Sequence, residues 1–216
     1  MTVVIIKSML DYNDRHSKPP ITANTSTEPR QRLVLAAADM LRRRGLNATS
    51  VREVAKLAQA PLGSTYHYFP DGKPQLIHEA VAFSGAQVHG VLARELANGP
   101  QAGLRAFLAL WRQRLTDSDY RAGCPVMAVA ADDGASDDDA QPLIAAAAAI
   151  DSWRRLLADS LCHAGVATPR AERLATVMIA AVEGAILLCR TQHGPTPLDE
   201  VAQELDDLLA SVLPAA

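Results

Sequence analysis

The feature that most constrains this chain is a proline that recurs just after a turn. Lys73-Pro74, Gly99-Pro100, Gln141-Pro142, Thr168-Pro169 and Thr196-Pro197 each stand ahead of a stretch rich in Ala, Leu, Arg and Glu. Proline fits the first turn of an α-helix, where its missing N–H has no partner to lose, and breaks a helix interior. These dipeptides predict helices over about 74–96, 100–116, 140–164, 169–192 and 197–213, with a short one over about 124–131. Strand signals are sparse, with no alternating β-branched and aromatic run beyond Thr2–Ile6.

The N-terminal third adds three shorter helices. From Glu28, Leu33, Ala37, Met40 and Leu41 repeat at helical spacing, and Arg42-Arg43-Arg44 followed by Gly45 makes a helix end. Ser50 and Glu53 form an S-x-x-E capping box that opens a second helix. That helix must be brief, because Pro61 follows soon after Ala58. A third helix over about 61–67 completes a helix-turn-helix arrangement. The fold class expected is all-α with about nine helices. It divides into a flexible arm over 1–26, a helix-turn-helix domain over 27–75 and a larger helical domain over 76–216.

The net charge of −3 hides an asymmetry. Residues 27–75 carry eight basic groups (Arg30, Arg32, Arg42, Arg43, Arg44, Arg52, Lys56, Lys73) and four acidic ones (Glu28, Asp39, Glu53, Asp71), a net of +4. Residues 76–216 carry a net of −8. A basic module on an acidic body suits a protein whose small module alone meets a polyanion; a chance surface asymmetry is the alternative. The same segment holds PLGSTYHYF (61–69), with three of the nine Phe, Tyr and Trp residues of the chain.

Other chemistries find little support. The histidines (His16, His67, His78, His89, His163, His193) show no metal-ligand spacing, and there is no HExxH, CxxC or phosphate-binding glycine loop. No metal, no cofactor and no enzymatic activity are expected. Cys124, Cys162 and Cys189 are widely spaced and read as reduced cytoplasmic thiols. Cys124 stands at a helix start, where a thiol pKa can fall, so a redox sensor is one reading and a simple structural helix start the other. No stretch of about 20 apolar residues is apparent, so no membrane span is expected. The acidic run Asp132–Asp139 reads as a solvated loop or, less simply, a cation site.

The last two helices are apolar on more than one side. Over 169–192, Leu174, Val177, Met178, Ala181, Ala185 and Leu188 form one stripe, and Ile179, Val182, Ile186 and Cys189 another. Over 197–213, Leu198, Val201, Ala202, Leu205, Leu208, Leu209 and Val212 repeat at i, i+3, i+4, i+7. Two apolar faces need two partners, which predicts a homodimer through these helices; a fully buried core helix is the alternative. Glu183 interrupts the first of them and reads either as a ligand contact or as a partnered carboxylate.

Segment 46–69, LNATSVREVAKLAQAPLGSTYHYF, closely resembles the helix-turn-helix of the tetracycline-repressor (TetR) family. PDGKPQLIHEAV (70–81), GCPVMAVAAD (123–132) and VEGAILLCRTQHGPTPLDEVAQEL (182–205) are similar to its lincomycin-resistance-repressor-like subgroup. The likeness covers residues 27–213. It implies a ligand-responsive transcription factor, a dimer on palindromic double-stranded operator DNA, released by a small effector and acting in the cytoplasm. Repression is the expected mode, with activation on the same scaffold, or redox sensing through Cys124, as alternatives.

The resemblance assigns DNA contacts to Ser50, Arg52, Leu62, Gly63, Ser64, Tyr66, His67 and Lys73, and the residue types suit those roles. Arg52 can pair bidentately with guanine, and Tyr66 and His67 can reach phosphates and thymine methyls. Gly63 permits close approach, Ser64 offers a hydroxyl, and Ser50 can meet a phosphate at a helix N-terminus. Lys73 is expected on the DNA backbone. Phe69 and Leu57 are expected in the module's core, and Tyr68 suits either place. Phe107, Trp111, Met127 and Trp153 are candidate linings of an apolar effector pocket, or ordinary core. Two positions depart from the family pattern: Gln59 replaces the turn glycine, and Pro61-Leu62 stands where polar residues are common.

Overall fold

The structure is a computed structural model that describes residues 28–132 and 140–213. The expected arm over 1–26, and all of the acidic run except Asp132, lie outside the described residues. Among the described residues there are nine α-helices and no strand: α1 (Pro29–Arg44), α2 (Val51–Leu57), α3 (Leu62–Tyr68), α4 (Lys73–Glu95), α5 (Pro100–Asp117), α6 (Pro125–Ala130), α7 (Ala140–His163), α8 (Thr168–Gln192) and α9 (Thr196–Val212).

Local chemistry sets the N-terminal turns. α1 ends at Gly45, whose positive φ of 79° suits a residue without a Cβ and whose N–H donates to the Leu41 carbonyl. The Thr49 hydroxyl donates back to the Gly45 carbonyl at 2.7 Å, and Ser50 Oγ accepts from the Glu53 N–H at 3.2 Å, capping α2. α2 closes in a Schellman arrangement: Gln59 takes φ +53°, its N–H donates to Lys56, and the Ala60 N–H donates to Ala55. Gln59 thus adopts the left-handed backbone that the replaced glycine would have held. Phe69 is buried at the end of α3, with the Arg30 guanidinium 5.0 Å over its ring, and Leu57 is half-buried beside the same core.

α4 joins the parts. It packs on α1 at its start and on α5, α6 and α7 along its length. It meets α7 tightly at Gly85, where a Cβ would stand 2.6 Å from the Cβ of Ala149. The indole N–H of Trp153 donates to the Gly85 carbonyl at 3.0 Å. Phe107 lies between Trp111 and Trp153, with ring centroids 6.3 Å from each, and all three are buried.

α8 and α9 pack antiparallel through His193, which is left-handed at φ +56°, and α9 also packs on α5, where Arg112 pairs with Asp199. α8 is long and apolar enough by length and average composition to cross a membrane, a test that a buried core helix also passes. Its few charges are spread out, so no unbroken apolar run shows, yet the average stays high. Half of its most apolar stretch is buried against neighbouring helices. The apolar face left open also differs from either predicted stripe. Val177, Leu187 and Leu188 are about half exposed, and Ala180 and Gly184 share their side, while Leu174, Met178 and Ala185 are buried in the protomer.

Candidate nucleic-acid interface

α3 presents its outer face to solvent because its inner face is already used. Thr65 is 1 % exposed and its hydroxyl donates back to the Pro61 carbonyl, while Tyr68 is half-buried on the core. The opposite side carries Leu62, Gly63, Tyr66 and His67, with Leu62 38 % and Tyr66 52 % exposed. A Cβ at Gly63 would meet nothing within 4 Å, so the protomer's own packing does not require glycine there. The His67 ring meets Tyr68 edge-on at 5.5 Å. Ser64 is half-buried at the margin of this face.

α2 supplies Ser50 and Arg52, both exposed. Lys73 is half-buried and donates from Nζ to the Leu46 carbonyl at 3.1 Å, so one of its N–H groups braces the loop between α1 and α2. Several other basic groups are held by acids that the charge count could not place. Arg42 and Arg43 pair with Asp39, and Arg30 with Glu79 on α4. Arg44 and Lys56 are exposed cations that the motif did not single out. Their signal was simply their place in a helix's last turn.

The larger helical body contains the four side chains expected to line an effector pocket. Phe107, Trp111 and Trp153 form buried core, and Met127 on α6 is half-buried beside it. Two open concavities, of about 380 and 450 Å³, lie around Arg190 and His193 and around Pro100 and His163, and neither is lined by these four residues. Glu183 is buried on α8, hydrogen-bonded to the Cys124 thiol, and burial pushes its carboxyl up to about 7 against the opposing pull of Cys124 and Arg114. Burial likewise lowers Arg114 to about 10.

Cys124 corrects an expectation. It precedes α6 as the sequence implied, but its thiol pKa is raised well above the ordinary value, first by burial and then by the Glu183 carboxylate. A buried thiol held protonated is a poor nucleophile, so the lowered pKa expected of a redox sensor is absent. Among the described residues, no group of three or more His, Cys, Asp or Glu side chains is placed to hold a metal.

Comparison with known proteins fits this arrangement. Residues 33–80 match the profile of bacterial regulatory proteins, tetR family, and residues 100–204 match that of the transcriptional regulator LmrA/YxaF-like C-terminal domain. An uncharacterized HTH-type transcriptional regulator of Mycobacterium tuberculosis, Rv0196, is 41 % identical over 86 % of this chain and 96 % of its own. The chain belongs to the TetR family of transcriptional regulators. Within it, the chain is 30 % identical to the HTH-type transcriptional regulator LmrA of Bacillus subtilis, over 84 % of this chain and 97 % of LmrA. The TetR fold is also seen in the regulatory protein TetR from Rhodobacter sphaeroides (TM-score 0.73, 25 % identity, 83 % of this chain and 97 % of that one). A TetR regulator from Legionella pneumophila shares the fold at TM-score 0.75 and 20 % identity, over 84 % and 97 % of the two chains. DNA-binding regulation of transcription is therefore the activity of this family member.

Proposed function

We propose that the chain is a ligand-responsive repressor that acts in the cytoplasm as a homodimer on a palindromic operator. The observation that carries the reading is the outer face of α3. Leu62 and Tyr66 are large side chains left open to solvent beside Gly63 and His67, on a helix whose other side is fixed by Thr65 and Phe69. In the major groove, Tyr66 and His67 would reach phosphates and base edges, Leu62 a thymine methyl, and Arg52 a guanine. Ser50, Ser64 and Lys73 would hold the backbone on either side. The apolar face of α8 would pair with that of a second protomer, alongside α9, and set two α3 helices about 34–36 Å apart. A small effector binding in the α4–α9 body would favour a conformer with a different spacing, acting only through its differential affinity for the two states.

Footprinting on DNA flanking the protein's own gene tests this. A protected palindrome, lost in Arg52→Ala and Tyr66→Ala while the dimer and melting temperature persist, is the expected result. Unchanged protection in both variants would sink the groove assignment.

A further inference from the structure

We propose that Glu183 and Trp111 form the polar end of an effector site, and that the site takes a neutral molecule carrying both a hydrogen-bond donor and an acceptor. The proposal rests on the reading of the chain as a ligand-responsive regulator and names the chemistry of its effector.

Besides Oδ1 of Asp206 on α9, two buried polar atoms in the α4–α9 body have no hydrogen-bond partner among the described residues' side chains and backbone. They are Oε1 of Glu183, a residue 7 % exposed, and Nε1 of Trp111, a residue 1 % exposed. Buried polar atoms are seldom left so, and each such atom calls for an explanation. One of these is an acceptor and the other a donor. They neighbour the same side chain: the Arg114 guanidinium stands 4.9 Å over the Trp111 ring, and its charge acts on Glu183.

The charge balance selects the ligand. Above about pH 7, where Glu183 has lost its proton, it and Arg114 offset one another. A cationic ligand would add a second positive charge beside Arg114 in a largely buried place, and an anionic one would face the Glu183 carboxylate. A neutral ligand avoids both, giving an N–H or O–H to Glu183 Oε1 and an oxygen to the Trp111 N–H. Its apolar part would lie against Phe107 and Met127, whose unbranched side chain is half-buried and readily repacked.

The site is joined to the DNA-binding helices. Glu183 is hydrogen-bonded to the Cys124 thiol, and the N–H of the preceding residue, Gly123, donates to the Arg42 carbonyl in the last turn of α1 at 2.7 Å. A ligand that engages the free Oε1 binds the same carboxyl group that meets Cys124, and so acts on the loop that holds α1.

Three probes of one shape test the proposal on the full-length protein: 2-naphthamide, 2-naphthylmethylammonium and 2-naphthoate. Calorimetry without DNA should show the amide binding at least about tenfold more tightly than either ion. Trp111→Phe, which keeps a ring and loses only the N–H donor, should fold normally and weaken the amide about tenfold. Glu183→Met, which removes both side-chain oxygens, should weaken the amide by a similar factor. Equal or tighter binding of an ion, unchanged affinity in Trp111→Phe, or no amide binding at about 1 mM overturns the proposal, leaving the two atoms to bound water. Footprinting in parallel separates the two readings. Amide binding with no operator effect sinks the regulatory reading alone, and operator binding without amide binding sinks this one.

Discussion

The Gly123 N–H and the Arg42 carbonyl are joined by a 2.7 Å hydrogen bond that ties the loop before α6 to the last turn of α1. The same glycine faces Arg190 of α8, whose Nη1 would lie 3.0 Å from an added Cβ. One loop residue therefore touches the DNA-binding helices and the helix with the open apolar face. α6 itself packs on α1, so this corner is a direct route between the two ends of the molecule.

Gly123 and Gly85 should respond differently to a methyl group. At Gly123 the obstacle is the far end of a flexible arginine, and Gly123→Ala keeps the N–H to Arg42, so stability should stay within about 0.5 kcal/mol. At Gly85 the methyl would stand 2.6 Å from Cβ of Ala149, itself fixed to the α7 backbone. Gly85→Ala must push α4 from α7 and strain the Trp153 bond, at about 1–3 kcal/mol. Thermal unfolding of the two variants side by side checks the contrast, and a Gly123→Ala loss as large as that of Gly85→Ala would refute it.

Gln59 is exposed and left-handed at φ +53°, in a turn whose hydrogen bonds are all made by backbone. A side chain in that region is strained by about 1 kcal/mol relative to glycine. Gln59→Gly should raise the melting temperature by about 2–4 °C for a chain of this size. Operator affinity should be unchanged, because the turn geometry is already in place. A lower melting temperature would mean the glutamine side chain makes a contact worth more than the strain.

These examples mark where sequence suffices. Gly45, the Ser50 cap, the Gln59 departure and the first-turn prolines act within a few residues of themselves, and each can be read locally. The buried group around Glu183 cannot be: Arg114, Cys124 and Glu183 come from α5, the loop before α6, and α8, and only packing unites them. The charge count over 27–75 was right but could not show that Asp39 holds Arg42 and Arg43, or that Lys73 turns to Leu46. The open face of α8 is not legible in sequence for a related reason. From Leu174 to Cys189 every position but Thr176 and Glu183 is apolar or glycine, so periodicity alone does not say which side is left uncovered.

Glu183 makes stability depend on pH in an unusual direction. Burial raises its carboxyl from 4.5 to about 7, so between those values the folded protein holds a proton that the unfolded chain releases. Stability from this group is full below about pH 4.5 and is lost as pH rises through about 7, by about 3 kcal/mol at most. The facing groups are Arg114, which titrates far higher, and Cys124, which stays protonated. Glu183→Gln should remove this slope whatever it does to absolute stability. Melting temperatures of both proteins from pH 5 to pH 8 give the comparison, and parallel curves would contradict the raised carboxyl.

The open face of α8 offers the sharpest test of the proposed dimer. Leu187 is 58 % exposed and Val177 50 %, so neither is needed to hold the protomer together. Between them, Ala180 and Gly184 leave a low path along the helix that lets a second helix approach closely. Burying such a face recovers apolar area at about 25 cal/mol per Å², and a carboxylate placed in it would be stranded without a partner. Leu187→Glu should therefore give a folded monomer with unchanged helix content and little affinity for a palindromic operator, whose halves a monomer cannot occupy together. Sedimentation reads the first property and footprinting the second. A stable dimer in both Leu187→Glu and Val177→Glu would move the interface elsewhere and leave the α8 face without a role.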